Sequence, residues 1–152
     1  MPNTYSQINI QCVFAVKGRK YLLSKDIRTK LFKYMHGILE NDNTFPLAIN
    51  GWKDHVHVFF ELSPKMSISD HMRTLKSSSS KWLNDNYFKN REFKWQEGYG
   101  AFSYSKSQRN NVIKYILNQE EHHRNVSFKE EYLGFLEKFN VAYDERYLFE
   151  FY

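Results

Sequence analysis

The spacing of apolar residues changes period several times along the chain, and each change predicts an element. Ile8, Ile10, Cys12, Phe14 and Val16 alternate with Gln7, Asn9 and Gln11, a period of two that reads as a half-buried strand. Lys17-Gly18-Arg19-Lys20 reads as a basic turn. Ser24 is a suitable N-cap, and Ile27, Leu31, Tyr34, Met35 and Ile38 follow at helical spacing to about Asn41. Residues 45–52 and 55–62 are strand-like, and Lys53-Asp54 between them predicts a hairpin. A second helix opens near Ser67 or Ser69 and carries Ile68, Met72, Leu75, Trp82 and Leu83. Residues 93–104 read as a strand with a bend at Gly98-Tyr99-Gly100. A third helix is expected over residues 106–122, and Ser127-Phe128-Lys129-Glu130 is a capping box for a fourth running to Phe139. The aromatic tail, residues 141–152, has no clear period. Strand, helix, strand, strand, helix, strand, helix, helix predicts an α+β fold, an antiparallel sheet with helices packed on it, in a single domain over residues 1–152.

Composition narrows the class. The 41% hydrophobic and 26% charged content is that of a globular chain without disordered tracts. Lys and Arg exceed Asp and Glu by 22 to 17, a net charge of +5, which suits a polyanionic partner. Most of the 13 Phe, 11 Tyr and 3 Trp must be packing, and Trp52, Trp82 and Trp95 read as core rather than stacking platforms. Cys12 is the one cysteine, so no intrachain disulfide forms and a reducing compartment is expected. With no signal-peptide pattern and no apolar run approaching about 20 residues, a soluble cytoplasmic protein without membrane contact is expected.

Asp54-His55-Val56-His57-Val58-Phe59-Phe60 is the most informative short segment. Alternation along a strand puts Val56, Val58 and Phe60 on a core face and His55 with His57 together on the other, about 7 Å apart at Cα. Two imidazoles so placed can share a metal ion at about 2 Å each; solvated or hydrogen-bonded histidines are the alternative. On the third helix, Val112, Ile113, Ile116 and Leu117 form the apolar arc at about 100° per residue. Tyr115 and Gln119 lie off that arc, one turn apart. They can face a site beside the strand, or be a packed helix-edge tyrosine and a solvated amide. His122-His123 read as helix-end residues favourable to the C-terminal dipole, with ligation as the alternative.

His55-Val56-His57 followed by Tyr115-Ile116-Leu117-Asn118-Gln119 and Glu120-Glu121-His122-His123 resembles the single-tyrosine HUH transposases of small bacterial insertion sequences and the related REP-associated tyrosine transposases. Phe14-Ala15-Val16-Lys17, the Lys76 to Trp82 segment, Gly98-Tyr99-Gly100-Ala101-Phe102-Ser103 and Tyr143-Asp144-Glu145-Arg146-Tyr147-Leu148 extend the resemblance over nearly the whole chain. The resemblance implies a ferredoxin-like sheet with the tyrosine helix near the C-terminus, in a bacterial cytoplasmic homodimer whose active sites can be shared between subunits. It implies Tyr115 as nucleophile, and His55, His57 and Gln119 as ligands of Mg²⁺ or Mn²⁺. It also implies single-stranded DNA with hairpin ends as substrate, cut and rejoined through a 5′-phosphotyrosine.

Lys76-Ser77-Ser78-Ser79-Ser80-Lys81 combines small hydroxyl side chains with flanking charge, which lets a phosphate backbone approach. Lys76, Ser78 and Lys81 are therefore candidate DNA contacts, with Lys17 and Arg19 on the basic turn and Lys106 and Arg109 at the start of the tyrosine helix. Three other functions fit the same residues: a host endonuclease acting on repeated extragenic hairpins, a non-catalytic single-strand binder, and a metal hydrolase with a structural Tyr115.

Overall fold

In the computed structural model, which describes residues 3–152, β1 (Asn9–Ala15) is buried at all seven positions. The polar members of its alternation are buried too, because the strand is paired on both edges and covered on both faces. It runs antiparallel to β3 (His55–Glu61) on one side and to β4 (Gly100–Tyr104) on the other, and β2 (Phe45–Gly51) completes the order β2-β3-β1-β4. Helix α1 (Lys25–Asn41) connects β1 to β2, and α2 (Ile68–Asn86) connects β3 to β4. This is the ferredoxin-like α+β topology, with the hairpin β2–β3 and two helical crossovers. Ser24 caps α1, and Ser67 caps α2 in a capping box with Asp70, so both starts follow from local sequence.

The alternation in β3 sorts two layers. Phe60 faces α2, its ring 5.1 Å from His71, and Phe14 lies under Lys76 of the same helix. The opposite face meets the C-terminal helices α3 (Arg109–Leu117), α4 (Gln119–His122) and α5 (Phe128–Lys138). There Phe59 packs with Val112 and Ile116, while Phe135 stacks on Phe102 at 5.2 Å. Among the described residues no helix is long and apolar enough to cross a membrane.

Two elements differ from the periodic reading. Residues 93–104 do not form one strand. Trp95 makes an isolated bridge to Val16, and regular pairing resumes only at Gly100. Gly98, at φ 83°, turns the chain out of the ladder between them. Gly100 is also required by packing, because a Cβ there would lie 2.7 Å from the Tyr132 hydroxyl. The third helix is likewise not continuous over residues 106–122: it breaks at Asn118 (φ −96°, ψ 18°), and α4 restarts at Gln119.

His71 is 1% exposed, and neither ring nitrogen has a hydrogen-bond partner among the described residues. Burial lowers its pKa, with Asp42 and Asp70 opposing too weakly to reverse the shift. The unfolded chain therefore takes up this proton first, and stability falls as pH drops below about 6.5. His71→Leu is expected to narrow the gap in melting temperature between pH 7.5 and pH 5.5. An unchanged gap would mean that His71 is not a source of acid sensitivity.

Candidate active site

β3 delivers His55 and His57 to the face beneath α3–α5, and both are fully buried, so they are not solvated. Their rings are 5.0 Å apart. The helical roof contributes Glu131, which the sequence reading did not place in the site, and His123, which it gave only as an alternative ligand. Glu131, in the first turn of α5, puts Oε1 at 3.1 Å from His55 Nε2 and 3.0 Å from His57 Nε2. His123, just beyond α4, puts its Nε2 at 3.1 Å from the same oxygen. Its other nitrogen donates to the Val126 carbonyl at 2.7 Å, so it serves the site and not the helix-end dipole. Glu131 was legible in principle: it sits three residues after Phe128 and four before Phe135, an acid inside an apolar stripe. His123 was legible, with His122, as an alternative ligand beside the helix-end reading, and the ligand alternative is the one its position favours.

Tyr115 and Gln119 reach the same place. The Tyr115 hydroxyl donates to Glu131 Oε2 and lies 3.3 Å from His122 Nε2. Gln119 donates through Nε2 to Glu131 Oε2 at 2.9 Å, while its Oε1 is 3.1 Å from His55 Nε2 and 2.9 Å from His123 Nε2. The break at Asn118 is supported from β2, where the Asn50 amide donates to the carbonyls of Ile116 at 3.0 Å and Leu117 at 3.1 Å. Those carbonyls lie at the end of α3, where intrahelical donors run out. Asn50→Ala is expected to lower stability by about 1–2 kcal/mol in urea melts. Asn50→Asp should cost more, because a carboxylate would face two carbonyls and the negative end of the helix; an aspartate variant as stable as the alanine one would disprove the contact.

The electrostatics follow from burial and two carboxylates, Asp54 behind His55 and Glu131 among the imidazoles. Burial pushes the His55 pKa down, but hydrogen bonds to Asp54 and Glu131 outweigh it and raise the value to about 9. Burial wins at His57 and lowers its pKa. Burial, reinforced by Glu131, raises the Tyr115 phenol above its ordinary value. For Glu131 itself the burial penalty is overcome by His57, His123 and His55, which hold its carboxyl well below the usual range. The resting arrangement is thus a carboxylate among imidazoles, with the proton on the phenol.

These residues fit a cation. The Nε2 atoms of three histidines converge, while each Nδ1 is held from behind: His55 donates to Asp54 at 2.7 Å, His57 meets Gln11 Nε2 at 2.8 Å, and His123 donates to Val126. Acceptors such as Asp54 behind His55 and the Val126 carbonyl behind His123 orient imidazole ligands in metal sites. A cleft of about 500 Å³ opens beside Tyr115 and Glu131 between α3 and α5, with Tyr104, Gln108, Asn111 and Lys138 on its walls.

The seven candidate DNA contacts are not gathered in one place. Lys17, Arg19 and Lys106 are exposed and Ser78 is half-buried. Lys81 pairs with Asp85 at 2.8 Å. Lys76 is turned inward, donating to the carbonyls of Gln96 and Gly98, and Arg109 is engaged by Glu61 and Asn9. Of the tryptophans, Trp95 is buried, whereas Trp82 stacks on Tyr34 and Trp52 lies against His123, both half-buried.

Residues 4–119 match the family described as IS200-like transposases. Over 93 residues the chain is 33% identical to the transposases for insertion sequence element IS200 of Salmonella typhimurium and Salmonella typhi. That match covers 57% of this chain, which spans about 60% of the length of these curated relatives. Among solved structures, a Deinococcus radiodurans protein described as a transposase superposes with TM-score 0.61 at 20% identity, covering 77% of this chain and 94% of that one. A REP-associated tyrosine transposase bound to a REP hairpin superposes with TM-score 0.60 at 13% identity, covering 82% and 73% respectively. At these identities the structural likenesses establish the fold.

Proposed function

Because the chain belongs to the family of IS200-like transposases, we propose that it cuts and rejoins single-stranded DNA at hairpin-bearing element ends through a covalent link to Tyr115. The observation that carries this reading is the meeting of the Tyr115 hydroxyl and three histidine Nε2 atoms on one carboxylate. His55, His57 and Gln119 hold a divalent cation, Mg²⁺ or Mn²⁺. When bound, that cation supplies polarisation of a non-bridging phosphate oxygen and orientation of the scissile linkage.

The protein's own residues do the rest. The phenolic oxygen attacks phosphorus, a Tyr–O–P bond forms as the P–O3′ bond breaks, and the proton lost from the phenol is balanced by the one gained on the 3′ hydroxyl. The 5′ end stays on Tyr115, so the phosphodiester energy is kept for rejoining by another 3′ hydroxyl. The cleft between α3 and α5 suits an unpaired strand beside Tyr115. Lys17, Arg19, Ser78, Lys81 and Lys106 are the proposed backbone contacts; Lys76 and Arg109 join them only by releasing their present partners.

The family resemblance implies a homodimer, and the convergence of Tyr115 and His57 within one chain supports a site complete in each subunit. A second reading keeps the chemistry but serves repeated extragenic hairpins of the host, and draws on the relative bound to a REP hairpin. The chemistry is tested by incubating the protein with an end-labelled, hairpin-bearing single strand and Mn²⁺, then resolving products under denaturing conditions. The expected product is a covalent protein–DNA adduct together with a fragment ending in a free 3′ hydroxyl. Free 5′ phosphate without an adduct would identify a metal hydrolase, and binding without cleavage in any divalent ion a passive binder.

A further inference from the structure

Two imidazoles and an amide are neutral ligands, whereas hard divalent cations favour anionic oxygen. One carboxylate stands among them. The ligand-capable atoms of His55, His57, His123 and Glu131 all lie within 4.8 Å of one another, close to the roughly 4 Å spread of donors around a shared ion. The two oxygens of Glu131 keep different company: Oε1 faces the three Nε2 atoms, and Oε2 accepts from the Tyr115 hydroxyl and the Gln119 amide. The side chain is 2% exposed and its backbone N–H donates to the Ser127 carbonyl at 3.0 Å. Phe128, three residues before it, stacks on His55 at 3.9 Å, which ties α5 to the ligand strand.

We infer that Glu131 couples the metal to the nucleophile, with Oε1 as an anionic ligand added, together with His123, to His55, His57 and Gln119, and with Oε2 as the anchor of the Tyr115 hydroxyl. Glu131 is then both a ligand and the positioning residue that sets the attacking oxygen next to the cation. The inference rests on the cation site proposed above, and its opposite is a carboxylate that merely fills the place of the ion and swings away when one binds.

The test is Mn²⁺ titration of the full chain by calorimetry. The wild type is expected to bind one ion and His57→Ala none. Glu131→Gln, equal in size and still able to accept from Tyr115, should bind at least about ten-fold more weakly, while Tyr115→Phe should match the wild type. Glu131→Gln binding as tightly as the wild type, or tighter, overturns the inference and leaves the cation site standing. A wild type that binds no Mn²⁺, or binding untouched by His57→Ala, overturns both. If circular dichroism shows Glu131→Gln to be unfolded, His123→Asn reads the same ligand set: affinity at least about ten-fold weaker supports it, and unchanged affinity overturns it. In single-turnover cleavage at saturating Mn²⁺, Glu131→Ala should be at least about ten-fold slower than Glu131→Gln, since it alone leaves the phenol unanchored. Equal rates would remove the positioning role.

Discussion

Tyr115→Phe is expected to yield no covalent adduct and to lower cleavage by at least about 10³-fold, while the protein stays folded and binds a hairpin-bearing strand as before. The substitution removes one oxygen and little else. The ring keeps its edge contacts with His57 at 6.1 Å and Phe135 at 5.9 Å. Glu131 loses one donor but retains Gln119 and the three imidazoles, so no buried charge is left bare and stability should fall by about 1.5 kcal/mol, the low end for a hydrogen bond to a charged group. Adduct formation by the phenylalanine variant would move the nucleophile elsewhere. Loss of hairpin binding together with cleavage would make Tyr115 a structural residue.

The second large effect is expected at the histidines. His55→Ala or His57→Ala should each reduce metal-dependent cleavage by at least about 100-fold with hairpin affinity retained, because the duplex stem has no reason to touch a buried strand. These variants will also be less stable than Tyr115→Phe. Both imidazoles are fully buried, and deleting His57 strands Gln11 and opens a cavity beside Phe135, together about 2–4 kcal/mol. Binding and cleavage must therefore be compared well below each variant's melting temperature, with gel-shift affinity and adduct yield measured on the same preparation. Parallel loss of both would assign the histidines to the core rather than to chemistry.

The contrast between the two variants reflects how the site is made. Tyr115 stands at the rim of an open cleft, where phenylalanine keeps the ring contacts and loses only those of the hydroxyl. His57 lies between β1, α3 and α5, with one nitrogen near Gln11 and the other near Glu131. Because the same contacts hold the helical roof to the sheet and orient the ligands, chemistry and stability are linked at the strand and nearly separate at the tyrosine.

Much of this was readable from the chain alone, for a physical reason: it depends on interactions spanning only a few residues. The strand run opening with His55-Val56-His57 and the serine caps at Ser24 and Ser127, with Ser67 as one of two starts offered for α2, are local features that stand in the folded protein, whereas the break at Asn118 interrupts the helix expected to carry Tyr115 and Gln119 together. The strand and helix order built from them led to an antiparallel α+β sheet. What the tertiary structure alone decided concerns partners far apart in sequence. Asn50 ends α3 from across the sheet, Gln96 and Gly98 occupy the Lys76 ammonium, Glu61 engages Arg109, and α5 lowers Glu131 onto two histidines more than seventy residues away. Local periodicity says which face of each element is apolar but not which element will cover it. That is set by sheet order and helix packing, and in this protein it made the histidine face of β3 a buried site organised around Glu131.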